Sequence, residues 1–196
     1  TSNIFYGAYA IDQNRCVIAS SSGTAGGGFV LFTPDSGLNF FNVLGIDGNF
    51  RSVFIRQNPT PQVFLSYFDL NTGLSGIKSF SLDFNSSQDV DVASNFTESN
   101  ASFNVLNIDG NDNNLYVIAS DQNADYGNSI YSFANDTFSL IYSVNDNSSY
   151  IRKFRVFDSS FAIAVGTDFS IMTDGSNFIN VNNAINNSGF NGFIGF

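Results

Sequence analysis

The sequence predicts an all-β protein assembled from repeated four-stranded units. Three observations carry that expectation. Residues 41–49 (FNVLGIDGN) recur as 103–111 (FNVLNIDGN), a match at eight of nine positions. Short apolar, β-branched or aromatic runs bounded by Gly, Asn, Asp and Ser succeed one another along the chain, the pattern of strands joined by turns. No segment carries a capped helical period, and the good surface helix formers are scarce.

Read in order, the runs fall into four units within a single domain, 1–196. The first unit spans 4–40, with strands expected at 4–11, 15–20 and 28–33. The second spans 41–84, with strands at 40–46, 51–56, 62–68 and 76–84. Residues 85–102 form a polar insertion. The third unit spans 103–149 (strands 103–108, 114–120, 129–133, 137–144), and the fourth spans 150–181 (150–157, 160–166, 168–172, 177–181). Each unit opens with an apolar strand leading into a turn near an aspartate: Asp12, Asp47, Asp109 or Asp158. Each continues into a very apolar strand, CVIAS, SVFIR, LYVIAS or FAIAVG. Such runs suit strands covered on both faces. Repetition at this scale implies modules that bury their apolar faces on one another.

A local motif narrows the architecture. Thr33-Pro34-Asp35-Ser36-Gly37-Leu38-Asn39-Phe40 resembles the Asp-box hairpin of sialidase-like and sortilin-like β-propellers. Thr173-Asp174-Gly175-Ser176-Asn177-Phe178 resembles a shortened copy, and Asp69-Leu70-Asn71-Thr72-Gly73 occupies the matching turn of the second unit. The resemblance implies a β-propeller of four-stranded blades. It implies structural roles for Asp35, Gly37 and Phe40 and for Asp174, Gly175 and Phe178: a carboxylate on turn amides, a positive φ, and an aromatic packed between strands. It implies no activity. The competing architecture is a β-sandwich, including a pilin-like form completed by a neighbour's strand. The apolar segments 4–11 and 190–196 would be its donor strands.

Composition restricts function. The chain is 43% hydrophobic and 16% aromatic, enough for a substantial core, yet only 12% charged, with a formal net charge of −10. An acidic surface without a basic stripe argues against nucleic-acid partners. No apolar run approaches the roughly 18 residues of a membrane span. Cys16 is the one cysteine and sits in an apolar strand, so a buried inert thiol is expected. The chain starts without a methionine or a signal peptide, which implies a processed or partial form. Sequons occur at Asn85, Asn95, Asn100, Asn135, Asn147 and Asn186. Three cluster in the polar stretch 85–102 and two fall in turns, which suits N-glycosylation of an extracellular or cell-surface protein.

Chemistry finds little support. There is no histidine, so nucleophile–histidine catalysis and histidine-based zinc sites are excluded. The one glutamate, Glu98, lies inside the sequon cluster, and the arginines lack the sialidase Phe-Arg-Ile-Pro signature. No cofactor is expected. Calcium is a weak candidate at alternating oxygen side chains, Asp109, Asn111 and Asn113 or Asp121, Asn123 and Asp125, although neither loop has a calcium loop's glycine or terminal glutamate. In the basic stretch 152–155, strand alternation places Arg152 and Phe154 on one face and Lys153 and Arg155 on the other.

These readings predict a non-catalytic, secreted, N-glycosylated module for cell-surface binding, adhesion or structure. Its expected partner is an extracellular protein or glycan, including copies of itself. The alternative is an extracellular filament subunit joined by donor-strand exchange.

Overall fold

The computed structural model describes residues 3–22, 27–46, 48–59, 61–73, 75–82, 87–90, 104–120, 129–134, 137–143, 151–158, 161–166, 170–173 and 178–180. Among them strands form four separate antiparallel sheets, without a helix. Blade 1 is β1 (Asn3–Ala10), β2 (Cys16–Ser22), β3 (Gly28–Thr33) and β4 (Phe41–Ile46). Blade 2 is β5 (Gly48–Arg56), β6 (Gln62–Asp69), β7 (Ser75–Ser81) and β8 (Ser87–Val90). Blade 3 is β9 (Asn104–Gly110), β10 (Leu115–Ser120), β11 (Ser129–Ala134) and β12 (Thr137–Ser143). Blade 4 is β13 (Ile151–Val156), β14 (Ala162–Gly166), β15 (Ser170–Thr173) and β16 (Phe178–Asn180). Every blade is a simple meander, each strand pairing with the next.

The expected unit boundaries shift. Residues 41–46 do not open the second unit; they are β4, the last strand of blade 1. The near-identical 104–110 is β9, the first strand of blade 3. The two copies of FNVL-x-I therefore hold opposite ends of a blade. The local sequence dictates a strand, but pairing partners far along the chain dictate its rank. SVFIR belongs to β5, a first strand, rather than to the second strand of its blade. Residues 87–90, expected inside a polar insertion, supply the fourth strand of blade 2. Segment 4–11, a candidate donor strand, lies largely in β1 and pairs with β2 of its own blade. Segment 190–196 lies outside the described residues.

Blades stack through alternate faces of their strands. Val17, Ala19 and Val30 of blade 1 meet Val53, Ile55, Val63, Leu65 and Phe80 of blade 2. The opposite face of blade 2, with Phe54, Phe64 and Ile77, meets Val105, Ile108, Val117, Tyr131 and Phe138 of blade 3. Ile118 and Ile130, on the far face of blade 3, meet Ile151, Phe154, Ala162 and Ala164 of blade 4. Register accounts for this: residues opposed across a ladder share a face, so Val53 aligns with Leu65 and Phe54 with Phe64. These close-packed apolar junctions are the core.

The first strand of a blade has one unpaired edge, and its backbone groups need partners once buried. For blades 3 and 4, side chains of the preceding blade supply them. Ser52 Oγ on β5 accepts from the Ile108 N–H and donates to the Ile108 carbonyl, both at 3.3 Å. Ser75 Oγ on β7 accepts from the Val105 N–H at 2.8 Å while donating to the Tyr67 carbonyl. Asp109 Oδ2 on β9 accepts from the Val156 N–H at 2.9 Å. Ser52 and Asp109 are buried. Ser52→Ala will leave the Ile108 N–H and C=O unpaired inside the blade 2–blade 3 junction. We expect a loss of about 1–3 kcal/mol, read as a lower urea midpoint with an unchanged denaturant slope.

Candidate functional site at the ends of the inner strands

The C-terminal ends of the first strands converge. In blades 1, 3 and 4 each leads into a tight hairpin closed by a backbone bond: Ile11 N–H to the Arg15 carbonyl (2.8 Å), Asn111 N–H to Asn114 (2.9 Å) and Phe157 N–H to Phe161 (2.9 Å). Aspartates organise this end, because a carboxylate can satisfy several turn amides at once. Asp12 Oδ1 accepts from the Asn14 and Arg15 N–H groups at 2.8 Å each, and Oδ2 receives the Arg15 Nε at 2.7 Å. Asp112 accepts from the Gln57 and Asn58 N–H groups and from Asn58 Nδ2 (3.0, 3.1 and 2.7 Å). It thereby ties the blade 3 hairpin to the loop of blade 2.

At the axis the strands bring together an aromatic, a carboxylate and a guanidinium. Tyr9 of β1 packs edge-on against Phe54 of β5, ring centroids 5.7 Å apart. The Arg155 guanidinium of β13 lies over the Tyr9 ring, 5.9 Å from its centroid, within cation–π range. Arg155 Nη1 is 3.7 Å from Asp109 Oδ1, an ion pair too long for a hydrogen bond. The Asp109 side chain is 6% exposed and that of Arg155 55%. Charge is therefore presented to solvent by arginine and anchored below by a buried carboxylate.

Burial pushes the Asp109 carboxyl above the ordinary carboxylate range, outweighing the Val156 N–H and Arg155, which act the other way. The Tyr9 hydroxyl is also raised, first by burial and then by Asp109 and Asp112 against the opposing Arg155. Asp12, Asp35 and Asp112 behave oppositely: hydrogen bonds from Arg15, Asn39 and Asn58 respectively hold them below the usual range.

A second concavity lies on the outer face of blade 1. It encloses about 270 Å³ and is lined by Ala10, Cys16, Ile18, Thr33, Gly37 and Phe40, with the Asp12 hairpin at its rim. The Asp-box-like turn borders it between β3 and β4. Asp35 accepts from the Asn39 N–H (2.9 Å), from Asn39 Nδ2 (2.6 Å) and from the Thr33 hydroxyl (3.0 Å). Gly37 has a φ of +84°, a conformation that glycine adopts freely. Phe40 departs from expectation: it is 48% exposed rather than packed between strands. The Asp69 turn caps its own amides, Asn71 N–H at 2.8 Å and Thr72 N–H at 3.2 Å. It joins the second and third strands of its blade, not the third and fourth, so it does not match the Asp35 turn.

The remaining expected site residues divide by placement. Asn85, Asn95, Asn100, Asn135, Asn147 and Asn186 lie outside the described residues, as do Asp174, Gly175, Asp121, Asn123 and Asp125. Phe178 begins β16. Asp109 and Asn111 do not converge as calcium ligands would. Asp109 turns toward blade 4, while Asn111 Oδ1 accepts from the Asn113 and Asn114 N–H groups at 2.9 Å each. Cys16, half-buried, lines the blade 1 cavity, and burial raises its thiol. Sequence reasoning missed the meeting of Tyr9 with Arg155. Its only signal was an aromatic and a cation at the same end of two first strands.

The opposed shifts predict a distinctive pH dependence. A carboxyl raised on folding contributes stability that is complete below its unfolded pKa, about 3.9, and is lost as pH rises through the folded value. Asp109→Asn keeps an acceptor for the Val156 N–H but cannot ionise. Its stability should decline less than the parent's as pH rises from 4 toward neutrality. Depressed carboxyls contribute above the ordinary range and lose that contribution on acidification. Asp112→Asn should therefore flatten the acid limb below pH 4. Urea titrations across pH 2–8 check both.

No family model matches the chain, and no curated protein matches it. Solved structures do resemble it. One is a nidogen/laminin complex: TM-score 0.64, 14% identity, 89% of this chain and 62% of the other. A second is YCF48 from Cyanidioschyzon merolae: TM-score 0.61, 11% identity, 91% and 56%. A third is the GH74 xyloglucanase from Xanthomonas campestris: TM-score 0.57, 13% identity, 85% and 28%. The chain thus spans less than two thirds of the length of each. All three are β-propellers, and with four stacked four-stranded meanders this chain has the β-propeller fold.

Proposed function

We propose that this chain is a non-catalytic, secreted, N-glycosylated binding module that engages another extracellular protein at the axial end. The observation that carries this reading is Arg155, solvent-facing and stacked on Tyr9 above the buried Asp109. Arginine and tyrosine dominate the energetics of protein recognition, because they offer large contact area with polar tips. The carboxylate beneath is committed to a backbone N–H and to arginine, so the cluster fits recognition better than proton transfer. Two propellers of similar fold carry polypeptide partners, nidogen with laminin and YCF48 with a D1 peptide. GH74 propellers are glycosidases, and a second aspartate or glutamate facing Asp109 would be needed to extend that chemistry here.

Selection from a displayed peptide library tests the surface. Binders should lose at least tenfold in affinity for Arg155→Ala, about 1.4 kcal/mol, and be indifferent to Leu140→Ser on the outer strand of blade 3. Equal affinity for the parent and Arg155→Ala would remove the axial end from consideration. Expression through a secretory pathway, with enzymatic deglycosylation in heavy-oxygen water and mass spectrometry, tests the glycans. Label is expected at Asn85, Asn95 and Asn100, and a chain secreted without any label would overturn the glycoprotein reading.

A further inference from the structure

We propose that the concavity between the two hairpins of blade 1 binds a small uncharged aromatic molecule that carries a carbonyl oxygen. The site is separate from the Arg155 cluster at the axis. Strand register builds its floor. Ala10 aligns with Cys16, and Cys16 with Thr33. Ile18 follows on the same face of β2. Phe40 and Gly37 line one side, and a Cβ placed on Gly37 would lie 3.7 Å from Phe40 Cζ. Burial raises the Cys16 thiol, so at neutral pH it offers a soft apolar surface rather than a nucleophile. The concavity encloses about 270 Å³. An apolar cavity of ~150 Å³ already takes up benzene, so this one has room for a single ring with a short substituent.

The walls are held before any ligand arrives. Ser36 joins the two hairpins: its N–H donates to the Asn14 carbonyl at 2.7 Å and its hydroxyl to Asn14 Oδ1 at 2.9 Å. Ser36 has a φ of 61°, a conformation uncommon for a residue with a Cβ and held here by those bonds. Asp12 fixes the other hairpin by capping the Asn14 and Arg15 amides. A preformed site lowers the ordering cost of binding.

The rim selects the ligand's polar group. Its Asp12 and Asn14 acceptors are engaged. Asp12 receives two backbone N–H groups and the Arg15 Nε, and Asn14 Oδ1 receives the Ser36 hydroxyl. The donors are not: among the described residues Arg15 Nη1 and Nη2 and Asn14 Nδ2 have no hydrogen-bond partner. The ligand therefore presents an acceptor. Charge decides its ionisation state. Asp12 lies 2.7 Å from Arg15, whose hydrogen bond keeps it ionised, so the pair is neutral. The chain as a whole carries −10. A carboxylate finds no net positive field at this rim and is repelled by the rest of the chain. A neutral carbonyl uses the same donors without that repulsion.

Titration of the 196-residue chain with three ring compounds, followed by amide NMR shifts, tests the assignment. Acetophenone carries the acceptor, ethylbenzene lacks it, and benzoate adds a charge. Acetophenone should shift the Ala10, Cys16, Ile18 and Gly37 amide signals saturably and slow maleimide labelling of Cys16. It should bind about tenfold more tightly than either of the others. Arg15→Leu should reduce acetophenone to the affinity of ethylbenzene and leave ethylbenzene unchanged, which also shows that the variant folds. Ala10→Leu, at an exposed lining position, should exclude both. The parent's ranking of the three compounds tests the site even where a variant does not fold. Absence of saturable shifts at these residues would overturn the proposal. So would equal affinity for acetophenone and either of the others, or acetophenone binding that Arg15→Leu leaves intact.

Discussion

The structure depends on how the innermost strands hide their free edges. A meander blade leaves one ladder edge of its first strand unpaired, and stacking blades around an axis buries that edge. Each buried N–H or carbonyl without a partner would cost as much as a good side-chain contact gains. For blades 3 and 4 the preceding blade supplies the missing partner. Ser52 serves Ile108, Ser75 serves Val105, and Asp109 serves Val156. These bonds are directional, whereas the valine and phenylalanine junctions around them are not. They therefore fix where along its neighbour blade 3 and blade 4 each sit, and so where their strand ends meet the axis.

Asp109 shows how one residue joins a blade junction to the axial cluster. Its position on β9 faces it toward blade 4, opposite the face that buries Ile108 and Val117 against blade 2. Capping the Val156 N–H holds the carboxylate at the end of β13, next to Arg155. A buried carboxylate without that amide and that arginine would be driven to neutrality. The arginine in turn lies over the Tyr9 ring while more than half of its side chain stays exposed. The exposed face of the axial end is thus prearranged by a structural bond, which would lower the ordering cost of the binding proposed there.

Much of the fold was legible in the sequence because strand alternation and turn chemistry are local. Asp12 and Asp69 cap turn amides as short-range rules require, and Lys153 and Arg155 share a face as period-two alternation requires. What was not legible is non-local. FNVL-x-I reads identically at β4 and β9, yet one copy is an outermost strand and the other an innermost. Strand β8, Ser87–Val90, carries too little apolar character to announce itself, since an outer strand needs less of it. The axial cluster draws Tyr9 and Arg155 from opposite ends of the chain, and no spacing rule connects them.

The end blades carry the same lesson into energetics. Ile18 and Ile118 occupy similar second strands in similar sequence, yet Ile118 is 1% exposed and Ile18 is half-open. Composition cannot distinguish them, because both strands are equally apolar. The difference lies in the neighbour. A half-covered isoleucine forgoes part of the roughly 25 cal/mol per Å² that burial returns, and the open face of blade 1 repeats this at Phe5, Phe29 and Leu31. Four blades therefore hold together through three complete junctions while both end faces keep unused apolar surface. The alternation of strand faces that lets each blade stack on the next thus sets how much apolar surface each blade buries.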